Sequence, residues 1–241
     1  MIADSGGQAG RFPRLAPRVP YHFVSIPHAL APPRALTTQT LQHGARVLAR
    51  RDPDLARLLR HQGPPPLWGR RPGFATLFRI ILEQQVSLAA ARTLSLRIEA
   101  RLGGITAESV SPLGVTGLRK LGLTRQKAAY CYNLADAVLT GRLDLARVAR
   151  APDPEGQQLL LAQPGIGPWS VAIYYLMALR RPDVWPAGDL ALADAIRRVK
   201  RLRATPTSRQ QATLSATWAP WRSVAARLLW HYYLTTPRSA R

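Results

Sequence analysis

The sequence predicts a mainly α fold, and three observations carry that prediction. From about residue 41 to residue 235, apolar residues recur at helical spacing between residues of the capping type. Runs that alternate polar and apolar are nearly absent over the same span. The third observation is LAQPGIGPWSVAIYYL at 161–176, a bend rich in glycine and proline, followed by an almost wholly apolar run that belongs in a core.

Taken in chain order, residues 1–40 are rich in Gly, Pro and Arg and show no sustained period, so they read as a basic, flexible N-terminal arm. Within it, YHFVSI at 21–26 could form one short strand. RDPDLARLLRHQG is expected to be a helix capped by Asp52, with Pro53 in its first turn and Gly63 as its stop. GFATLFRIILEQQ follows. SLAAARTLSLRIEARLGG starts on Ser87 and ends at Gly103, and TRQKAAYCYNLADAVLTG runs from Thr124 to Gly141. DPEGQQLLLAQ leads into the bend. GDLALADAIRRVKRL and WRSVAARLLWHYYL complete the helical set.

The net charge is +21, from 34 Lys and Arg against 13 Asp and Glu, which points to a polyanionic partner: DNA, RNA or an anionic membrane surface. A basic charge spread evenly without a partner is the bland alternative. Lysines occur only at Lys120, Lys127 and Lys200, so the chain is rich in forked phosphate binders and poor in amine nucleophiles. Cys131 is alone, which excludes an internal disulfide and a cysteine-rich metal or iron–sulfur site. With no apolar run of about 20 residues and no secretory pattern at the start, a cytoplasmic, nucleoid-associated protein is expected, with no membrane partner.

At the bend, Gly165 and Gly167 allow backbone angles closed to other residues, and Pro168 suits the first turn of a helix. The turn then offers the bare amides of Gly165, Ile166 and Gly167, with the Ser170 hydroxyl beside them, at the positive end of a helix. A DNA phosphate is the natural ligand, though a plain helix corner would use the same glycines.

LAQPGIGPWSVA resembles the helix–hairpin–helix of the DNA glycosylase superfamily. ILEQQVSLAAA at 81–91, LRKLGLTRQKAAYCYNLA at 118–135 and PWRSVAARLLWHYY at 220–233 are similar to the alkylbase subgroup, the 3-methyladenine DNA glycosylases of AlkA type. The likeness covers roughly residues 41–235, in a short form without the N-terminal β domain of larger members. It implies two helical subdomains with a DNA-binding cleft between them. One spans 73–181 and carries the hairpin; the other joins 41–72 to 182–241. Double-stranded DNA containing alkylated bases is the implied partner and a monomer the implied state.

The resemblance also assigns roles. Asp189, twenty residues past Trp169, would be the catalytic carboxylate beside a sugar that becomes cation-like. It lies where an ordinary N-cap would also lie, at the positive end of LALADAIRRV. Trp169 stands where the strand-cutting relatives carry a Schiff-base lysine, so a monofunctional hydrolase acting on cationic purines such as 3-methyladenine is implied, with no AP-lyase activity. Trp169, Trp230 and, more weakly, Trp185 and Trp68 would line the pocket of the flipped base. Gln85 falls at the wedge that fills the vacated space. Glu83 and Asp194 read as structural. No cofactor is required. A monovalent cation, Na or K, held by the carbonyls of Leu161, Gln163 and Ile166 is a further implication. A non-catalytic DNA-binding module, or a glycosylase for deaminated or other damaged bases, stays open at this point.

If the arginines form one phosphate-facing surface, duplex affinity is expected to fall by roughly a hundredfold or more between about 50 and 200 mM salt. A fluorescence-anisotropy titration across that range checks it, and a flat response would mean the charge is evenly spread.

Overall fold

The computed structural model of the chain describes residues 34–236. The basic segment up to residue 33, YHFVSI within it, and residues 237–241 lie outside the described residues. Thirteen α-helices and one short 3₁₀ turn make up the described part, with no strand among the described residues.

Five helices form one packed group: α1 (Thr38–Arg51), α2 (Pro53–Gln62), α11 (Leu190–Val199), α12 (Ser208–Ala216) and α13 (Arg222–Thr235). α13 is its centre, in contact with each of the other four. A second group packs around α3 (Phe74–Glu83) and α7 (Arg125–Leu139). It adds α4 (Leu88–Leu102), α5 (Ala107–Val110), α6 (Gly114–Lys120), α8 (Leu145–Arg150), α9 (Asp153–Leu161) and α10 (Pro168–Met177).

The caps follow their local chemistry. Asp52 accepts from the amides of Asp54 and Leu55 ahead of Pro53, Ser87 from Ala90, Thr124 from Lys127 and Asp189 from Leu192. Gly63 and Gly103 end α2 and α4 with positive φ. The first helix, however, begins inside the segment expected to be a flexible arm through residue 40. Thr37 and Thr40 form a reciprocal capping box and Leu36 is 1% exposed, so the packed fold starts by residue 36. A Cβ on Gly44 would lie 2.6 Å from the Trp221 ring, so a bare backbone is what lets α1 press on the loop before α13. The short helices α5, α6, α8 and α12 carry too few turns to show a period.

α10 is among the most enclosed helices. Every residue from Ser170 to Leu176 is buried, against α3 and α9 and within reach of α13. The tie to α13 is Arg227, itself 0% exposed, whose Nη1 donates to the Trp68 carbonyl at 2.6 Å and Nη2 to the Leu176 carbonyl at 2.9 Å. Burial, with the nearby charge of Arg180, pulls its pKa down to about 10, so the guanidinium stays charged at neutral pH. Its counter-charge is the carbonyl-rich end of α10.

A second polar tie closes the other group. Asp52 Oδ1 and Oδ2 accept from Lys200 Nζ at 2.6 and 2.7 Å, and Oδ2 from Trp218 Nε1 at 2.8 Å. One carboxylate thus joins the start of α2, the end of α11 and the loop after α12. Burial alone would raise its pKa, but the Lys200 and Trp218 hydrogen bonds, the Lys200 charge and the Leu55 amide together hold it below the usual carboxylate range.

Asp52→Ala is therefore expected to cost about 2 kcal/mol of unfolding free energy, because it strands the Trp218 indole N–H and leaves the Lys200 ammonium with Asp54 alone. Urea denaturation measures it. The folded-state pKa is lowered, so the stabilisation is complete above about pH 4 and drains away as pH falls below that towards the lowered value. In Asp52→Asn that acid-dependent component should vanish.

Candidate active site and nucleic-acid interface

The bend between α9 and α10 is a tight turn in which the Ile166 N–H donates to the Gln163 carbonyl at 3.1 Å. Gly165 has φ +82°, and a Cβ there would sit 2.2 Å from the Tyr130 ring, so both conformation and space demand glycine. Gly167 corrects the expectation that both glycines were needed for their backbone angles. Its φ is −94°, and a Cβ there would meet nothing within 4 Å. Gly167 caps α10 without a side chain, and among the described residues nothing accepts from the N–H groups of Gly165, Gly167, Trp169 or Ser170. That is an open, electropositive helix end.

Two of the expected phosphate contacts are different in kind from those anticipated. Ile166 has its side chain buried and its amide spent inside the turn. Ser170 is 2% exposed, and its hydroxyl accepts from Gln84 Nε2 at 3.0 Å, so it faces the protein. The helical phase explains it: position 170 lies on the α10 face that packs on α3.

At the start of α11, Asp189 Oδ1 accepts from the Leu192 amide at 2.9 Å, as an N-cap does. The same oxygen accepts from Trp230 Nε1 at 3.2 Å, and Oδ2 from Trp169 Nε1 at 3.1 Å. Three N–H groups from α10, α11 and α13 thus hold one carboxylate. The turn before it is set by Gly188, at φ +86°, and by the Asp189 amide donating to the Pro186 carbonyl. Leu190, the next residue, is 83% exposed at the mouth of the site.

The structure brings Trp169 and Trp230 together on Asp189 and leaves Trp185 out. The Trp185 ring packs on Trp218, centroids 5.4 Å apart, in the layer around Asp52, and its buried Nε1 has no partner among the described residues. Trp185 is thus a packing residue here rather than a neighbour of Asp189, because the turn at 186–188 separates the two. Trp68 lies edge-on to His231. Glu83 forms a two-pronged pair with Arg70, and Asp194 pairs with Arg197 on its own helix.

Gln85 stands exposed in the turn after α3 with φ +56°, an unusual conformation for a residue with a side chain. The apolar Val86 and Leu88 beside it are 46% and 64% exposed. Sequence reasoning passed over Gln84. Its Nε2 donates to the Gly165 carbonyl at 2.8 Å as well as to Ser170, while Lys127 Nζ donates to the carbonyls of Leu82 and Gln84 at 2.7 and 2.8 Å. The doubled glutamine in EQQVS was the only available signal.

A closed helix–hairpin–helix, with an acidic N-cap some twenty residues on and two indoles turned towards it, defines a class: the helical DNA-repair fold built on a hairpin and a following aspartate. The model of the HhH-GPD superfamily of base excision DNA repair proteins matches residues 78–221, and the chain belongs to that superfamily. A Bacillus subtilis relative is 29% identical over 162 residues, which cover 64% of this chain and 56% of that one. The chain therefore spans just over half the length of that relative. It is also similar to DNA-3-methyladenine glycosylase 1 of Schizosaccharomyces pombe, 27% identical over 180 residues, 73% of this chain and 79% of that protein. Its fold matches the 3-methyladenine DNA glycosylase of Schizosaccharomyces pombe in complex with abasic DNA with a TM-score of 0.74, at 24% identity, over 82% of this chain and all of that one.

Gly165→Ala should lower the melting temperature by several degrees, since about 1 kcal/mol shifts a domain of this size by roughly 2–4 °C and the substitution adds a ring clash to backbone strain. Gly167→Ala should leave it within about 1 °C. Scanning calorimetry of the two variants separates them.

Proposed function

We propose that the chain is a monofunctional DNA glycosylase of base excision repair that removes alkylated, cationic purines such as 3-methyladenine. The observation that carries this reading is the Asp189 carboxylate, fixed by two indole N–H groups beside an amide-lined hairpin. Family membership and the names of the relatives support it.

In this reading the free amides of Gly165, Gly167, Trp169 and Ser170 grip a backbone phosphate near the lesion. The damaged nucleotide turns out of the stack, and Gln85 enters the space it leaves. A cationic purine needs no proton to depart: the C1′–N bond breaks and its electron pair neutralises the base. Positive charge then develops on the sugar, where Asp189 meets it. Oδ1 already accepts from an amide and an indole, whereas Oδ2 accepts from one indole only, so Oδ2 has the greater capacity left for the sugar cation or for the attacking water. Water adds to C1′ and gives up its proton, which leaves an abasic site. The half-buried Trp169 ring, pinned at its N–H edge, can stack on a cationic base with its face.

No amine stands in the hairpin to form a Schiff base; Lys127 spends its ammonium on two carbonyls of the α3 turn, and Lys200 is paired with Asp52 and Asp54. That supports hydrolysis without strand cleavage. The carbonyls of Leu161 and Ile166 have no backbone donor among the described residues, and that of Gln163 has one. This set fits a monovalent cation, which would fix the turn and add positive charge near the phosphate.

Asp189→Asn is expected to bind DNA as the parent does and to release methylated purines at least about a hundredfold more slowly. Free base recovered from methylated calf-thymus DNA measures it, and borohydride should trap no covalent adduct with an abasic duplex. Full activity in the variant would overturn the reading. A chain that binds DNA and releases no base would be a binding module instead.

A further inference from the structure

The residue that joins the two DNA-facing turns was not among those anticipated. Gln84 lies between the last turn of α3 and the exposed Gln85. Both hydrogens of its amide are in use, one on the Gly165 carbonyl at 2.8 Å and one on the Ser170 hydroxyl at 3.0 Å. These acceptors lie 81 and 86 residues away in sequence, on either side of the open end of α10. Its own carbonyl is held by Lys127 Nζ, which also holds Leu82. α7 supports the other side of the assembly: Tyr130, one turn beyond Lys127, lies under Gly165. Gln84 is therefore fixed by side chain and backbone at once, and the residue it delivers to solvent is Gln85, in a left-handed conformation that a slack loop would relax out of.

We propose that Gln84 is a positioning residue that couples the hairpin's hold on a phosphate to the insertion of Gln85, so that the two turns act on the duplex as one rigid body. The inference rests on the proposed glycosylase reading. Displacing a paired nucleotide costs a few kcal/mol of stacking and pairing. A wedge on a turn free to swing would give way instead of displacing the base. With Gln84 in place, a push on Gln85 is borne by the α10 N-terminus that grips the strand. An amide is needed at the position, since a carboxylate would set an oxygen against the Gly165 carbonyl and an apolar side chain would satisfy neither acceptor.

The test compares Gln84→Met with the parent on a duplex holding one 7-methylguanine opposite cytosine, and on the same lesion inside a mismatch bubble, where no pairing opposes extrusion. The expected result is a loss in kcat on the paired lesion on the order of tenfold to a hundredfold. The bubble substrate, the Kd for undamaged duplex and the melting temperature should change little. Ser170→Ala, which keeps the Gly165 carbonyl as acceptor, should show a smaller loss in the same direction. Equal losses on both substrates, or no loss on either, overturn the proposal. If the parent itself releases no base, the glycosylase reading fails, and the coupling is then read without chemistry. With 2-aminopurine beside an abasic-site analogue, the parent should raise the fluorescence at saturation and Gln84→Met should raise it less. An equal rise in both overturns the coupling.

Discussion

Everything at the site depends on one carboxylate being held in place by groups that arrive from three helices. Asp189 begins α11, yet its oxygens take two of their three hydrogen bonds from the indoles of α10 and α13. An ordinary N-cap needs only its own amides. The extra donors fix the side chain's rotation. Aimed N–H dipoles stabilise the charge yet leave it available to a positive group arriving from outside, whereas an arginine or lysine partner would neutralise it. The arrangement works only if α10 and α13 keep their spacing. The buried guanidinium of Arg227 provides for that, since it donates from α13 to the far end of α10, one turn from Trp230 on its own helix.

The same helix that supplies one indole also supplies the open amides. α10 is buried over seven consecutive residues, so its position is set by packing on every side and its N-terminus cannot drift. A capping side chain in place of Gly167 would be worth only about a few tenths of a kcal/mol to such a helix, and the sequence goes without it. Pro168 removes one donor that would otherwise need a partner, and the remaining amides of the first turn have no acceptor among the described residues. A helix end that is rigid, positive and unsatisfied is matched to an anion, and the chain's surplus of arginine is consistent with a polyanion as its source.

How much of this was legible follows from how local each device is. The caps at Asp52, Ser87, Thr124 and Asp189, and the stops at Gly63 and Gly103, rest on bonds within three or four residues, so residue type and spacing were enough to find them. Asp189 was readable as an N-cap from its own neighbours, and as more than that only through the family likeness. The misreadings are all of long range or of helical phase. Ser170 looks like a phosphate ligand until α10 is wound and its third residue turns inward. Trp185 reads as a weaker candidate for the base pocket, but the turn before Asp189 leaves it packed on Trp218. Gly167 pairs with Gly165 on paper, yet only the latter has the angle and the crowding that exclude a side chain. Gln84 could not have been assigned at all, since its partners lie beyond six intervening α-helices.

The two polar ties in the core illustrate a further division. Asp52 closes one group of helices with a buried charge pair, and Arg227 closes the junction to α10 with a charge that has no carboxylate in its hydrogen-bond set. A carboxylate opposite Arg227 would satisfy the guanidinium more fully, but it would compete with the α10 carbonyls for those donors and slacken the grip on the helix. Carbonyl acceptors are weaker individually and cannot be moved without moving the backbone. The choice therefore exchanges some electrostatic energy for fixed geometry. That is the exchange a site needs when it depends on two indole N–H groups reaching one carboxylate from different helices.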